Sequence, residues 1–140
     1  MIRCRKMVVR TKRMRQGHST PPATPAQKSR WTLMREIGCI ACLMNRARGM
    51  PSTLAPPERI EIHHLIYGLR IGHDATICLC TFHHTGFWRP FESESYRDSR
   101  ARLGPSYHGA KKPFQAMYGS DVELLEYQNA LLSPLSEKAA

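Results

Sequence analysis

Two short hooks constrain this chain more than any other feature. Cys39-Ile40-Ala41-Cys42 and, about 40 residues later, Cys80-Thr81-Phe82-His83 each carry the two-residue gap that lets neighbouring donors close on one ion. A tetrahedral zinc site built from both would staple the start of the folded region to its middle. Core cysteines beside a surface histidine are the alternative. Cys78 also competes with Cys80, because residues two apart on a strand face the same side; Cys80 is preferred since it alone makes the x-x spacing with His83. Five cysteines, an odd number set among histidines, point to metal chemistry under reducing conditions rather than a disulfide framework, with Cys4 a bystander.

The histidines exceed what one such site can use. Five of the seven, His63, His64, His73, His83 and His84, fall within 22 residues. A structural zinc is satisfied by four ligands, whereas a catalytic ion needs its own ligands and an open position. The surplus therefore marks a candidate active site, against the alternative that these rings only pack around the zinc knuckle.

Charge divides the chain in two. The first 30 residues hold nine Lys/Arg and no acid, while residues 31–140 hold 12 basic and 11 acidic groups. Residues 1–23 read as a flexible basic arm, closed by the Pro21-Pro22 pair, and residues 24–140 as one small folded domain. A basic arm on a nearly neutral body suits a polyanion, nucleic acid or an anionic membrane surface, with Arg10, Lys12, Arg13 and Arg15 as candidate contacts. A solubility or targeting role is the alternative, since the acid-free opening also resembles an organelle presequence. No stretch approaches the ~18 apolar residues of a membrane span, and no apolar segment follows the basic start as in a secretory signal, so an intracellular protein is expected.

Thr24 and Pro25 predict a helix start, with Trp31, Met34 and Ile37 at helical spacing until Gly38. Residues 43–57 read as a loop, Arg59 to His64 as a half-buried strand, Ala75 to Cys80 as a second strand and residues 81–88 as a short helix bearing His83 and His84. The stretch from Pro90 to about Gly109 reads as a long irregular connection, with Trp88 and Phe91 as core or loop anchors. Lys111 to Tyr118 predicts a helix stopped by Gly119, and Ser120-Asp121-Val122-Glu123 a capping box opening a last helix with Val122, Leu125 and Leu132 inward. The order is that of an α+β domain.

Ile62-His63-His64-Leu65 followed by Thr76-Ile77-Cys78-Leu79-Cys80-x-x-His83-His84 resembles the ββα-metal, or HNH, endonuclease motif. With the upstream Cys-x-x-Cys and the Phe114 to Gly119 segment, the chain is most similar to the phage recombination-enhancement (Ref) nucleases over residues 31 to about 132. The resemblance implies a zinc-stapled, treble-clef-like ββα-metal domain with flanking helices. It also implies a cytoplasmic, bacterial or phage-encoded enzyme that hydrolyses DNA, with a RecA filament as partner. Carried over by position, His63 and His84 hold a catalytic divalent ion, Mg2+, Mn2+ or Zn2+, and His64 is the general base, a task suited to an ordinary histidine pKa of about 6.5. No Asn lies between Asn45 and Asn129, so the middle letter of the motif is missing; His73 or Asp74 is the substitute, and His108 a further candidate. Arg70, Lys111 and Lys112 are candidate phosphate contacts. A noncatalytic zinc-knuckle DNA-binding protein and an RNA-directed nuclease with the same chemistry are the competing readings.

Overall fold

The computed structural model of the chain describes residues 21–65, 72–87 and 93–139. The arm up to residue 20, with Cys4, Arg10, Lys12, Arg13 and Arg15, lies outside the described residues, as do Arg70, Trp88 and Phe91.

Helix α1 runs Pro25–Ile37. Thr24 Oγ1 accepts from Gln27 N and Gln27 Oε1 accepts from Thr24 N, while Pro25 occupies the first turn, where a missing N–H costs nothing. Met34 is buried with Trp31 and Ile37 packed beside it, and Trp31 Nε1 donates to Thr76 Oγ1 at 3.2 Å, tying α1 to the sheet.

Residues 43–57 do not begin as the expected loop, because the Cys39 knuckle turns directly into helix α2, Ile40–Ala47. No Gly or Pro interrupts the chain between Gly38 and Gly49, and burial of Ile40, Ala41 and Asn45 holds the helix against the sheet. A 3-10 turn, Pro57–Arg59, leads into β1, Ile60–His64, which pairs antiparallel with β2, Thr76–Cys80, placing His63 opposite Ile77 and His64 opposite Thr76. Helix α3, Thr81–Thr85, follows without a break, its first turn capped by Cys80 Sγ accepting from His83 N at 3.4 Å. It stops short of residue 88 because Gly86 adopts a left-handed cap (φ 80°), where a Cβ would fall 2.7 Å from the Tyr96 ring.

The expected irregular connection after Pro90 is also corrected, since it contains helix α4, Tyr96–Leu103. Ser95 Oγ accepts from Asp98 N at 3.1 Å, and Arg102 pairs with Glu94 at 2.6 Å, so a side-chain cap and an ion pair support a helix with little apolar periodicity. Helices α5, Lys111–Tyr118, and α6, Asp121–Ala139, stand where expected, with Ser120 and Glu123 exchanging capping-box bonds. The inward face of α6 differs. It presents Asp121, Leu124, Gln128 and Leu132, with Leu125 half-buried, whereas Val122 is 52% exposed. Val122 lies two positions, about 200°, from the buried Leu124 and so points to the opposite side. The result is a small α+β fold whose core joins Met34, Ile40, Ile77, Leu79, Phe82, Leu103, Phe114 and Leu124. Among the described residues, no helix is long and apolar enough to cross a membrane.

Candidate metal centres and active site

The two hooks meet. The donor atoms of Cys39, Cys42, Cys80 and His83 all lie within 4.8 Å of one another, every residue buried. His83 Nδ1 is 3.6, 3.4 and 3.2 Å from the sulfurs of Cys39, Cys42 and Cys80, and the Cys42 and Cys80 sulfurs are 4.0 Å apart. Zinc bonds of about 2.3 Å to sulfur and about 2.0 Å to nitrogen give a tetrahedron with edges of about 3.5 and 3.8 Å, so these spacings fit one ion. His83 Nε2 donates to Leu103 O at 2.9 Å, which turns the Nδ1 lone pair toward the sulfurs. Asn45 Nδ2 donates to the same carbonyl at 2.8 Å, the Tyr118 hydroxyl lies 3.0 Å from it, and Thr53 Oγ1 sits 3.3 Å from Cys80 Sγ.

The electrostatics ask for a cation. Burial alone would lower the pKa of His83, yet hydrogen bonds to Cys42 and Cys80 overcome it and push it up to about 10. Hydrogen bonds from Cys39 and Cys80 hold Cys42 far below the usual thiol range, while burial pushes Cys39 well above it. A proton on Nδ1 and a metal ion among the four donors answer the same negative charge. Cys78 stays out of this cluster. Its thiol is fully buried and pushed up to about 12 by burial, and its backbone N–H donates to Gln128 Oε1 at 2.9 Å, so it belongs to the core.

His63, His84 and His108 form a second group of possible metal donors. His63 Nδ1 lies 3.0 Å and His108 Nε2 3.2 Å from His84 Nε2, and His84 Nδ1 makes a short contact with Glu61 Oε2. Because that carboxylate accepts a hydrogen bond from Nδ1–H and keeps the proton there, the Nε2 lone pair of His84 faces the other two rings. Nitrogens at this spacing lie within reach of one ion, and without one they sit at hydrogen-bond distance. Burial and the neighbouring His84 and His108 hold the pKa of His63 down to about 4, and burial and His84 also lower that of His108, so both favour the neutral form that ligates metal. His63 Nε2 is buried with no hydrogen-bond partner among the described residues.

The segment that delivers His108 is itself pinned. Tyr107 N donates to His83 O at 2.7 Å and His108 N to His84 O at 3.0 Å. The Tyr107 ring packs on His63 with centroids 4.3 Å apart, and its hydroxyl donates to Asp121 Oδ1 at 2.9 Å. Lys111 Nζ reaches Asp121 Oδ2 at 3.6 Å and lies over the Tyr107 ring, which brings this expected phosphate contact to the edge of the histidine group. Lys112 is exposed beside it.

His64 is not in that group. Alternation along β1 turns it to the other face, where its Nε2 meets His73 Nδ1 at 2.9 Å and the edges of both rings meet Trp31. His73 Nε2 in turn donates to Pro21 O at 2.7 Å. Asp74 is exposed and accepts from Gln27 Nε2 at 3.2 Å, while the other substitute for the missing Asn, His73, bonds to His64. Sequence reasoning missed Glu61, Tyr107 and Asp121. Glu61 was legible in principle, since it stands two residues before His63 and so on the same strand face. The other two had no local signal, because their roles arise from contacts between distant helices.

A family profile described as "recombination enhancement, RecA-dependent nuclease" matches residues 23–133, most of the chain. The chain belongs to this family, and is a nuclease of recombination by that membership. A search of curated proteins and a search of solved structures return no significant match.

Proposed function

We propose that this protein is a DNA endonuclease of the ββα-metal (HNH) type, acting in recombination on RecA-coated DNA. The observation that carries the reading is the convergence of His63, His84 and His108, with the His84 lone pair turned inward by Glu61. The order β1, β2, α3 brings His63 and His84 together, with His108 added from the segment between α4 and α5, and supports the ββα assignment. Cys39, Cys42, Cys80 and His83 would hold a structural zinc; the three histidines would hold a catalytic divalent ion, Mg2+, Mn2+ or Zn2+. When bound there, such an ion supplies charge neutralisation on the phosphate in the transition state.

His64 is the general base in this reading. With His73 Nε2–H committed to Pro21 O, His73 offers a lone pair at Nδ1 to the His64 Nε2–H, and a neutral His64 then carries its own lone pair on Nδ1. His73 thus orients the base, the part that the missing Asn would play. His64 stands at the end of β1 on the face opposite His63, so in this reading it takes the proton of a water that approaches past the strand end; Lys111, Lys112, Arg70 and the arm residues Arg10, Lys12, Arg13 and Arg15 would supply phosphate contacts. Residues 1–23 form the arm and 24–140 the nuclease domain.

Metal stoichiometry measured beside cleavage tests this. The expected result is one tightly held zinc, a second exchangeable divalent site, and cutting of DNA, with RNA as the parallel substrate. One zinc and no cleavage under any divalent ion, with RecA filaments present, would leave a noncatalytic DNA-binding module; cleavage of RNA alone would move the substrate class.

A further inference from the structure

Asp121 is a buried carboxylate to which the chemistry above gives no part. It opens α6, and the Tyr107 hydroxyl and Gln115 Nε2 both donate to its Oδ1, at 2.9 and 3.0 Å. Its Oδ2 lies 3.6 Å from Lys111 Nζ, whose side chain is 49% exposed against 8% for Asp121. Withdrawing a carboxylate from water costs about as much as such an attraction returns, so a tie between α5 and α6 does not by itself account for the pair.

Both sides of Asp121 lead to the histidine group. On one, the Tyr107 ring, fixed at its hydroxyl, packs on His63 with centroids 4.3 Å apart, and the next residue in the chain is His108. On the other, Lys111 Nζ stands 5.2 Å from the centre of the Tyr107 ring, and its charge adds to the burial and the neighbouring His84 that lower the pKa of His108. At 3.6 Å the pair is looser than a direct hydrogen bond, and an ammonium has three donors, so Lys111 can take a phosphate oxygen without leaving Asp121. We infer that Asp121 is a positioning residue of the active site, holding His63 and His108 through Tyr107 and keeping the Lys111 ammonium beside them to meet the charge that grows on the phosphate. The inference rests on the reading of His63, His84 and His108 as ligands of the catalytic ion, and adds what fixes two of them and Lys111 in place.

Single-turnover cleavage of RecA-coated DNA, read beside calorimetric titration of Mn2+ and DNA affinity without divalent ion, tests the two sides separately. Lys111→Met should cut about tenfold more slowly or worse while DNA affinity changes less than about threefold, since a preorganised charge acts on the transition state more than on the ground state. Asp121→Asn keeps an acceptor for Tyr107 and Gln115 and removes the charge that holds Lys111. It should bind Mn2+ normally, lose rate about threefold or more, and add nothing when combined with Lys111→Met. Tyr107→Phe should instead weaken Mn2+ about tenfold, on the scale of a lost outer partner, and recover its rate when Mn2+ is saturating. Asp121→Ala should show both losses; zinc content and circular dichroism report its folding, and if it does not fold the other variants decide. Normal cleavage by Asp121→Asn, or normal Mn2+ affinity in Tyr107→Phe, overturns the inference. Equal losses of rate and DNA affinity in Lys111→Met overturn it as well, by making Lys111 an ordinary phosphate contact. A wild-type protein that binds no ion beyond its zinc would instead bring down the metal reading on which the inference stands.

Discussion

His84 meets a carboxylate at one nitrogen and two rings at the other, and this asymmetry gives Glu61 a role that its sequence neighbours do not share. Replacing Glu61 by Gln keeps the shape and removes the charge that holds the proton on Nδ1. Affinity for the second divalent ion should then fall about 10- to 100-fold, the usual effect of losing such an outer partner, with the Cys39 site still filled; metal titration followed by calorimetry reads both. His64 and His84 should fail differently. His64→Ala should retain fold, zinc and DNA binding and lose about two to four orders of magnitude in cleavage rate, the range of a positioned acid or base. His84→Ala should weaken the second ion and recover partly with added metal. Cleavage by His64→Ala at the normal rate would remove the base assignment.

At the scale of elements, α2, β2 and α3 share both a buried apolar core and the four donors they carry. Apparent binding free energy for a structural zinc is about 10–16 kcal/mol, comparable to the whole stability of a small domain at about 5–15 kcal/mol, so an ion held by these four donors would decide whether the elements stay assembled. Cys39→Ser should release zinc and broaden or abolish the thermal transition; full zinc content at an unchanged Tm would contradict the structural role. The link from α4 to α5 is the other sensitive joint. Gly104 has φ 90°, and a Cβ there would fall on the Tyr118 hydroxyl that helps hold the Leu103 carbonyl against His83. Gly104→Ala should cost about 1–3 kcal/mol through backbone strain and overpacking, visible as a lowered Tm with faster zinc loss to a chelator.

For the whole molecule, the uneven charge predicts how the chain would meet DNA. Residues 1–23 carry seven of the 21 Lys/Arg. Their removal should leave metal content and thermal stability unchanged, weaken DNA binding and flatten its salt dependence, because a phosphate that no longer meets a basic side chain keeps its counterion. An identical slope of binding against salt for the shortened and full chains would show that this segment does not touch DNA.

The two hooks, the capped ends of α1 and α6 and the histidine-bearing strand were legible in the sequence because each depends on residues two to four positions apart, where backbone geometry alone relates the groups. Helix α4 was not, because Ser95 and Glu94 support it with little apolar pattern to announce it, and Val122 misled because several registers of α6 offer an apolar stripe. Which histidines share a site was beyond sequence. His63 and His64 are neighbours in the chain yet join different partners, since a strand turns successive side chains to opposite faces, and it is the pairing of residues 107 and 108 with the carbonyls of His83 and His84 that brings His108 to the first of them. Read alone, the chain specifies the donors and the local elements that carry them. Their grouping into two separate centres waits for the fold, because contacts between segments far apart in the chain make it.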